Sequence, residues 1–112
     1  MTVEYVFAGL VVSDRDEAAA WYSRLFGRSP DMLPNEAEAA WQLTESASVY
    51  LLADPARAGH GVLTLIVDDL DAELAAIAAR DLVTRPAEET PAGRTCKLTD
   101  PDGNSIQLAQ LA

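Results

Sequence analysis

Val12-Ser13-Asp14-Arg15-Asp16-Glu17-Ala18-Ala19-Ala20-Trp21-Tyr22-Ser23-Arg24-Leu25-Phe26-Gly27 decides how this chain folds. An apolar run over residues 5–12, β-branched at its end, leads into it and reads as a buried strand. Ser13 or Asp14 can cap a helix, with Asp16 or Glu17 near its third position as a capping-box partner. Ala19, Tyr22 and Phe26 then share one helical face, with Ala18, Trp21 and Leu25 beside them, and Gly27 fits a left-handed stop. The same phrase returns 55 residues later as Val67-Asp68-Asp69. It again follows an apolar strand, over residues 62–67, and again opens an alanine-rich helix. Asp68 or Asp69 is the cap there, and Leu70, Leu74 and Ile77 form the apolar stripe.

Further out, each helix is followed by strand-like segments. In the first copy, residues 29–38 hold two prolines and read as a loop, residues 39–44 and 48–53 as two strands joined by a tight polar turn, and residues 54–61 as a linker. In the second copy, residues 83–85 read as a short strand, 86–93 as a loop, and 95–99 with 105–109 as a hairpin around Asp100-Pro101-Asp102-Gly103-Asn104. Proline sets φ there and glycine supplies φ > 0, as a turn requires. The segment lacks the third acidic position and the closing glutamate of a calcium loop. The order β-α-β-β-β thus occurs twice, in modules at about residues 1–55 and 60–112. Neither module alone has enough apolar surface for a stable core, so one domain over residues 1–112 is expected.

Composition narrows the function. Hydrophobic residues make up 49% of the chain, which suits a packed domain and rules out general disorder. Eighteen acidic residues face 8 basic ones, for a net charge of −10. Such a field repels phosphate backbones and anionic lipid, so neither nucleic acid nor a membrane surface is an expected partner. No apolar stretch approaches the roughly 20 residues of a membrane span, and the start Met-Thr-Val-Glu carries no signal-peptide pattern. The single cysteine, Cys96, excludes an internal disulfide framework and fits a reducing compartment, so a cytoplasmic location is expected. It reads as a small buried hydrophobe, because His60 is the one histidine available to pair with it. There is no glycine-rich phosphate loop, no Cys-x-x-Cys and no convincing Ser-His-Asp set.

Val-Ser-Asp-x-x-x-Ala-Ala-Ala-Trp-Tyr-x-x-Leu-Phe-Gly (12–27) resembles the opening signature of the vicinal oxygen chelate superfamily, and Asp-Pro-Asp-Gly-Asn-x-Ile-x-Leu (100–108) resembles its closing one. That superfamily includes glyoxalase I, extradiol dioxygenases and bleomycin-resistance proteins. The resemblance covers essentially the whole chain. It implies an α+β fold in which two βαβββ modules form an eight-stranded, half-open cup with the helices outside. It also implies a metal site in the family's enzymes, usually of histidine and glutamate, on the first and last strands of each unit. Those positions fall here on Phe7, Tyr50, Val62 and Gln107. Phenylalanine and valine have no donor atoms, and a neutral phenol and an amide are poor ligands for a divalent ion. No metal, no cofactor and no catalytic residue are therefore expected.

Strand alternation shows what the cup presents instead. If Phe7 faces it, so do Tyr5, Gly9 and Val11; Tyr50 brings Ser48 and Leu52, Val62 brings Thr64 and Ile66, and Gln107 brings Ser105 and Ala109. Trp41 adds a ring if the hairpin register turns it inward. His60 reads either as a solvated residue of the Gly59-His60-Gly61 turn or as a rim residue that bonds a ligand. An apolar, aromatic-lined concavity with a few polar groups suits an uncharged or aromatic small molecule. The expectation is a metal-independent binding protein of the bleomycin-resistance kind, sequestering an antibiotic or aromatic metabolite, with Phe7, Trp41, Tyr50, His60, Val62 and Gln107 as ligand contacts. The alternatives are a lyase, isomerase or oxygenase with a metal at displaced positions, and a non-catalytic regulatory subunit with a vestigial cup. A homodimer is expected, formed either by exchange of units or by docking of complete cups.

Overall fold

The N-terminal apolar run forms β1 (Val6–Val12), and Asp14 begins α1 (Arg15–Phe26), in a computed structural model that describes all 112 residues. Asp14 Oδ1 accepts the Glu17 amide at 2.9 Å. Gly27 sits at φ 78° and its N–H donates to the Ser23 carbonyl, a left-handed stop that a residue with a Cβ adopts at a cost. β2 (Met32–Asn35), β3 (Glu38–Thr44) and β4 (Ala47–Ala53) complete the first module. The second repeats the order with β5 (Val62–Ile66), α2 (Leu70–Ala79), β6 (Glu88–Thr90), β7 (Gly93–Thr99) and β8 (Ser105–Leu111). Asp69 caps α2 by accepting the Ala72 amide at 3.1 Å. No helix is long and apolar enough to cross a membrane.

Two short strands differ from the sequence reading. The proline-bearing segment read as loop contains β2, which meets β3 at Met32↔Ala40 and Asn35↔Glu38 in an irregular ladder. Pro34 is tolerated because β2 is the outermost strand of its sheet, where one row of N–H groups needs no partner. The strand expected over residues 83–85 does not form: Val83 is 90% exposed and Leu82 reaches the core. The strand is β6 instead, because the Pro91-Ala92 turn pairs Thr90 with Gly93 and Glu88 with Thr95.

The sheets run β1-β4-β3-β2 and β5-β8-β7-β6, with β1/β4 and β5/β8 parallel and the other pairs antiparallel. Their registers match. Phe7 lies opposite Ser48 and Gly9 opposite Tyr50; Val62 lies opposite Ser105 and Thr64 opposite Gln107. The fold is α+β, with the eight strands of two βαβββ modules forming a half-open cup that does not close into a barrel, and the helices outside.

A single core of 17 buried residues fills the space between helices and sheets and draws on both modules. α1 contributes Ala18, Tyr22 and Leu25, and α2 contributes Leu70, Leu74 and Ile77. Leu10, Val12, Val49 and Leu51 meet them from the first sheet, and Leu98, Ile106 and Leu108 from the second. Each large apolar side chain buried there stabilises the fold by about 1.5–3 kcal/mol. Polar bonds also bind the modules at one end. Asn104, fully buried, accepts the Gly61 amide at 2.7 Å and donates to the Val11 carbonyl at 2.9 Å. Ser13 donates its amide to Asp102 Oδ2 at 3.1 Å. At the helix ends Arg80 donates to the carbonyls of Arg24 and Leu25, satisfying acceptors that α1 leaves open.

Candidate functional site

The core takes one face of each sheet, and on the other face the large side chains stay partly or largely exposed while small residues such as Ser48, Ala40 and Ala109 are covered. On β1 the helix-side residues Leu10 and Val12 are buried, while Phe7 is 55% exposed; on β5 Val62 is 76% exposed and Ile66 57%. Tyr50 and Gln107 are half-buried between fully covered neighbours, Val49 and Leu51 in one case, Ile106 and Leu108 in the other. Phe7, Tyr50, Val62 and Gln107 therefore stand on the helix-free faces, the first pair on one sheet and the second pair on the other.

The first sheet's face carries the aromatics. Tyr5 and Phe7 lie with ring centroids 4.8 Å apart, and the Tyr5 hydroxyl bonds Ser48 Oγ at 2.5 Å, which covers Ser48. The Tyr50 ring lies across β1 directly over its register partner Gly9: a Cβ at Gly9 would stand 2.5 Å from Tyr50 Cζ. Gly9 is thus the residue that lets a flat ring cover the strand. No polar side-chain atom is both buried and without a partner, so the Tyr50 phenol and the Gln107 amide, which bond nothing within the chain, meet solvent.

Trp41 does not join this surface. The β3/β4 register sets it opposite Val49, on the helix side, while Ala40 is the residue opposite Tyr50. It is fully buried, 5.4 Å from the Phe26 ring and 6.2 Å from Tyr22, and its Nε1 donates to the Arg28 carbonyl at 3.0 Å. Trp41 is core, and the expectation that it lines the cup is corrected. His60 is exposed between two pinned glycines: the Gly59 amide donates to the Val11 carbonyl and the Gly61 amide to Asn104. That places it at the junction where β1 ends and β5 begins.

The positions implied for a metal do not fit one. Two have no donor atom and two carry neutral oxygen or nitrogen groups. No three His, Cys, Asp or Glu side chains come together elsewhere. The Asp100–Asn104 turn is equally unsuited, because Asp100 is already saturated. Its carboxylate accepts the Tyr22 hydroxyl at 2.7 Å, Asn104 Nδ2 at 2.8 Å and the amides of Asp102 and Asn104. Burial, then the hydrogen bond to Asp100, hold the Tyr22 phenol far above the usual range, so it stays a donor.

Polar residues that the sequence reading passed over stand beside Gln107. Lys97 is its direct partner on β7, and Thr95 lies two residues along. With Arg85, Pro86 and Glu88 from the segment before β7 they line a cavity of about 270 Å³. The hairpin around residues 100–104 carried the signal: pairing Thr99 with Ser105 places Lys97 opposite Gln107. A larger cavity, about 430 Å³, lies between the modules near the end of α1, lined by Phe26, Leu43 and Ile77 among others, and holds none of the expected contact residues.

Known proteins agree with this architecture. The profile of the Glyoxalase/Bleomycin resistance protein/Dioxygenase superfamily matches residues 4–108. A glyoxalase/bleomycin resistance protein from Catenulispora acidiphila is 38% identical, with a TM-score of 0.90 over 96% of this chain and 98% of its own. TnmS3, an antibiotic binding protein from Streptomyces sp. CB03234, is 26% identical, with a TM-score of 0.78 over 100% of this chain and 97% of its own. A bleomycin-binding protein complexed with bleomycin shares the fold at 22% identity, with a TM-score of 0.79 over 96% of this chain and 98% of its own. A search of curated protein sequences finds no match. Repeated βαβββ modules, the two signature segments and the profile match together mean that this chain belongs to the glyoxalase/bleomycin resistance protein/dioxygenase superfamily.

Proposed function

We propose that this protein binds an apolar or aromatic small molecule in its cup, without a metal, and acts by holding the molecule and not by altering it. The observation that carries the reading is the chemistry of the helix-free sheet faces: Phe7, Tyr50 and Val62 with one amide, Gln107, and no histidine or carboxylate where the family's enzymes keep them. Rings and branched chains hold a flat ligand by contact area, and a phenol and an amide orient its polar groups. The 26% identity to an antibiotic binding protein over the whole chain supports a role in antibiotic sequestration. His60, at the junction of the modules, is the proposed rim contact.

The cup is completed in a homodimer on this reading. What supports it is the exposure of Phe7, Val62 and Ile66 on faces that no element of the same chain covers, together with the unpaired inner edges of β1 and β5. A monomer seldom leaves so much apolar surface in water.

A thermal-shift screen of planar antibiotics and aromatic metabolites tests the function. A true ligand at 100 times its Kd stabilises the fold by about 2.7 kcal/mol, and Tyr50→Phe should weaken that effect. Protein expressed in medium supplemented with zinc, nickel and manganese should retain much less than one equivalent of metal after dialysis. A stoichiometric ion that Gln107→Ala or His60→Ala removes would overturn the metal-free reading and restore the enzyme alternative.

A further inference from the structure

We infer that the half-cup of the second module is an anion subsite, built by Lys97 and Arg85 beside Gln107, and that the ligand of this protein carries a carboxylate or an equivalent planar anion. The inference rests on the binding reading above and adds the charge of the ligand to it.

The chain has eight basic residues. Five are committed within the fold. Arg15 pairs with Asp16, Arg28 with Asp31, Arg57 with Asp54, and Arg94 with both Asp71 and Glu89. Arg80 bonds the carbonyls at the end of α1. Three remain without an ionic partner: Arg24, on the exposed last turn of α1, and Arg85 and Lys97. The latter two line one cavity of about 270 Å³ together with Thr95 and Gln107. In a chain carrying 18 acidic residues, the two cations without an ionic partner that meet at one cavity form a local cluster of positive charge. Glu88 is the one carboxylate of that lining, so the charge there stands at two positive against one negative.

The cavity is built, not incidental. Lys97 projects from the middle of β7 between the buried Cys96 and Leu98, so the strand that carries it is locked by the core. The Cys96 thiol donates to the Arg85 carbonyl at 3.4 Å, which ties the preceding segment to the same strand. An ammonium, a guanidinium and an amide donor on two adjacent strands and a tethered segment can converge on one carboxylate, and the Thr95 hydroxyl adds a further donor. Thr64, opposite Gln107 on β5, links this cluster to the apolar strand that holds Val62. The ligand so defined has a flat apolar body and one acidic end.

Two probes of the same shape test this: 2-naphthoate and its neutral counterpart 2-naphthamide, measured by calorimetry at low salt. The carboxylate should bind the native protein about tenfold more tightly, the scale of one hydrogen bond to a charged group. The advantage should shrink as salt rises. Lys97→Met should bring naphthoate down to the level of naphthamide, and Lys97→Met with Arg85→Gln should reverse the preference. If naphthamide binds as tightly as naphthoate to the native protein, the anion inference fails while the cup reading stands. If the preference survives both substitutions, the anion binds elsewhere and the inference also fails. Binding of neither probe would count against the cup and the subsite together. Because Lys97 is the only lysine, reductive methylation with carbon-13 gives one side-chain amine signal, with the charge retained. Naphthoate should move that signal and naphthamide should not; bound naphthoate with an unmoved signal overturns the assignment without any variant.

Discussion

Single residues set the strictest conditions in this fold. Tyr22 is fully buried and its hydroxyl is one of four donors on Asp100. Tyr22→Phe should destabilise by about 1–3 kcal/mol, since it strands part of a buried carboxylate. The pH dependence follows from the raised phenol. Unfolded tyrosine ionises near pH 10, while the folded group holds its proton well above that, so the unfolded state loses the proton first. The contribution is complete below about pH 10 and falls above it, at up to about 1.4 kcal/mol per pH unit. Denaturant melts between about pH 9 and 11 should show this decline in the native protein and a shallower one in Tyr22→Phe; identical slopes would refute the account. Gly9 is decisive for a different reason. Gly9→Ala would drive a methyl group into the far end of the Tyr50 ring, which can swing aside. Stability should change by less than about 1 kcal/mol, while affinity for a planar ligand found in the screen should fall about tenfold. A ligand affinity left unchanged would show that the Tyr50 ring takes no part in binding.

At the scale of elements, β4 and β8 matter most, because each has one face in the core and one face in the cup. Tyr50 and Gln107 occupy equivalent places on them, opposite Gly9 and Thr64. Neither side chain bonds another group of the protein, so Tyr50→Phe and Gln107→Leu should leave stability within about 0.5 kcal/mol of the native protein. Ligand affinity should nonetheless fall by on the order of 1 kcal/mol for each hydrogen bond removed. Urea titration of both variants checks the first part before any ligand is known. A loss of about 1–3 kcal/mol in both would mean that the two groups serve packing, and would count against the binding reading. The contrast within β3 and β4 is instructive: a one-residue change of parity separates Tyr50, in the cup, from Trp41, in the core.

The whole molecule is a flattened body of 39 × 38 × 24 Å with a radius of gyration of 14.1 Å. A compact chain of this length has a radius of about 13 Å. The excess fits two four-stranded sheets that form a half-open cup and do not close into a barrel. We expect a dimer in sedimentation velocity at micromolar concentration, and a melting temperature that rises with protein concentration, as linkage to association requires. A monomer with a concentration-independent melt would overturn the dimer expectation and leave the two open sheet faces of one chain as the whole site.

Much of this was legible in the chain. The duplication, the place of a cap before each helix, Gly27 and the α2 stripe all follow from local chemistry, because capping and amphipathic burial depend on residues within one or two turns, while the structure chose Asp14 over Ser13 and Asp69 over Asp68. The sides taken by Phe7, Tyr50, Val62 and Gln107 were also readable, since a strand alternates strictly. The edge strands were not: proline hid β2, and β6 is defined by its turn with β7 more than by its own residues. Nor was Trp41 readable, because an aromatic residue suits either face of a strand and the β3/β4 register alone decides between them. The convergence of Arg85, Lys97 and Gln107 brings together residues up to 22 positions apart. The sequence by itself determined the modules, their order and the chemical character of each strand face, because these depend on near neighbours. Only the tertiary structure decided which faces are covered, which cations remain unpaired and where they meet, because those depend on strand register and on packing between segments distant in the chain.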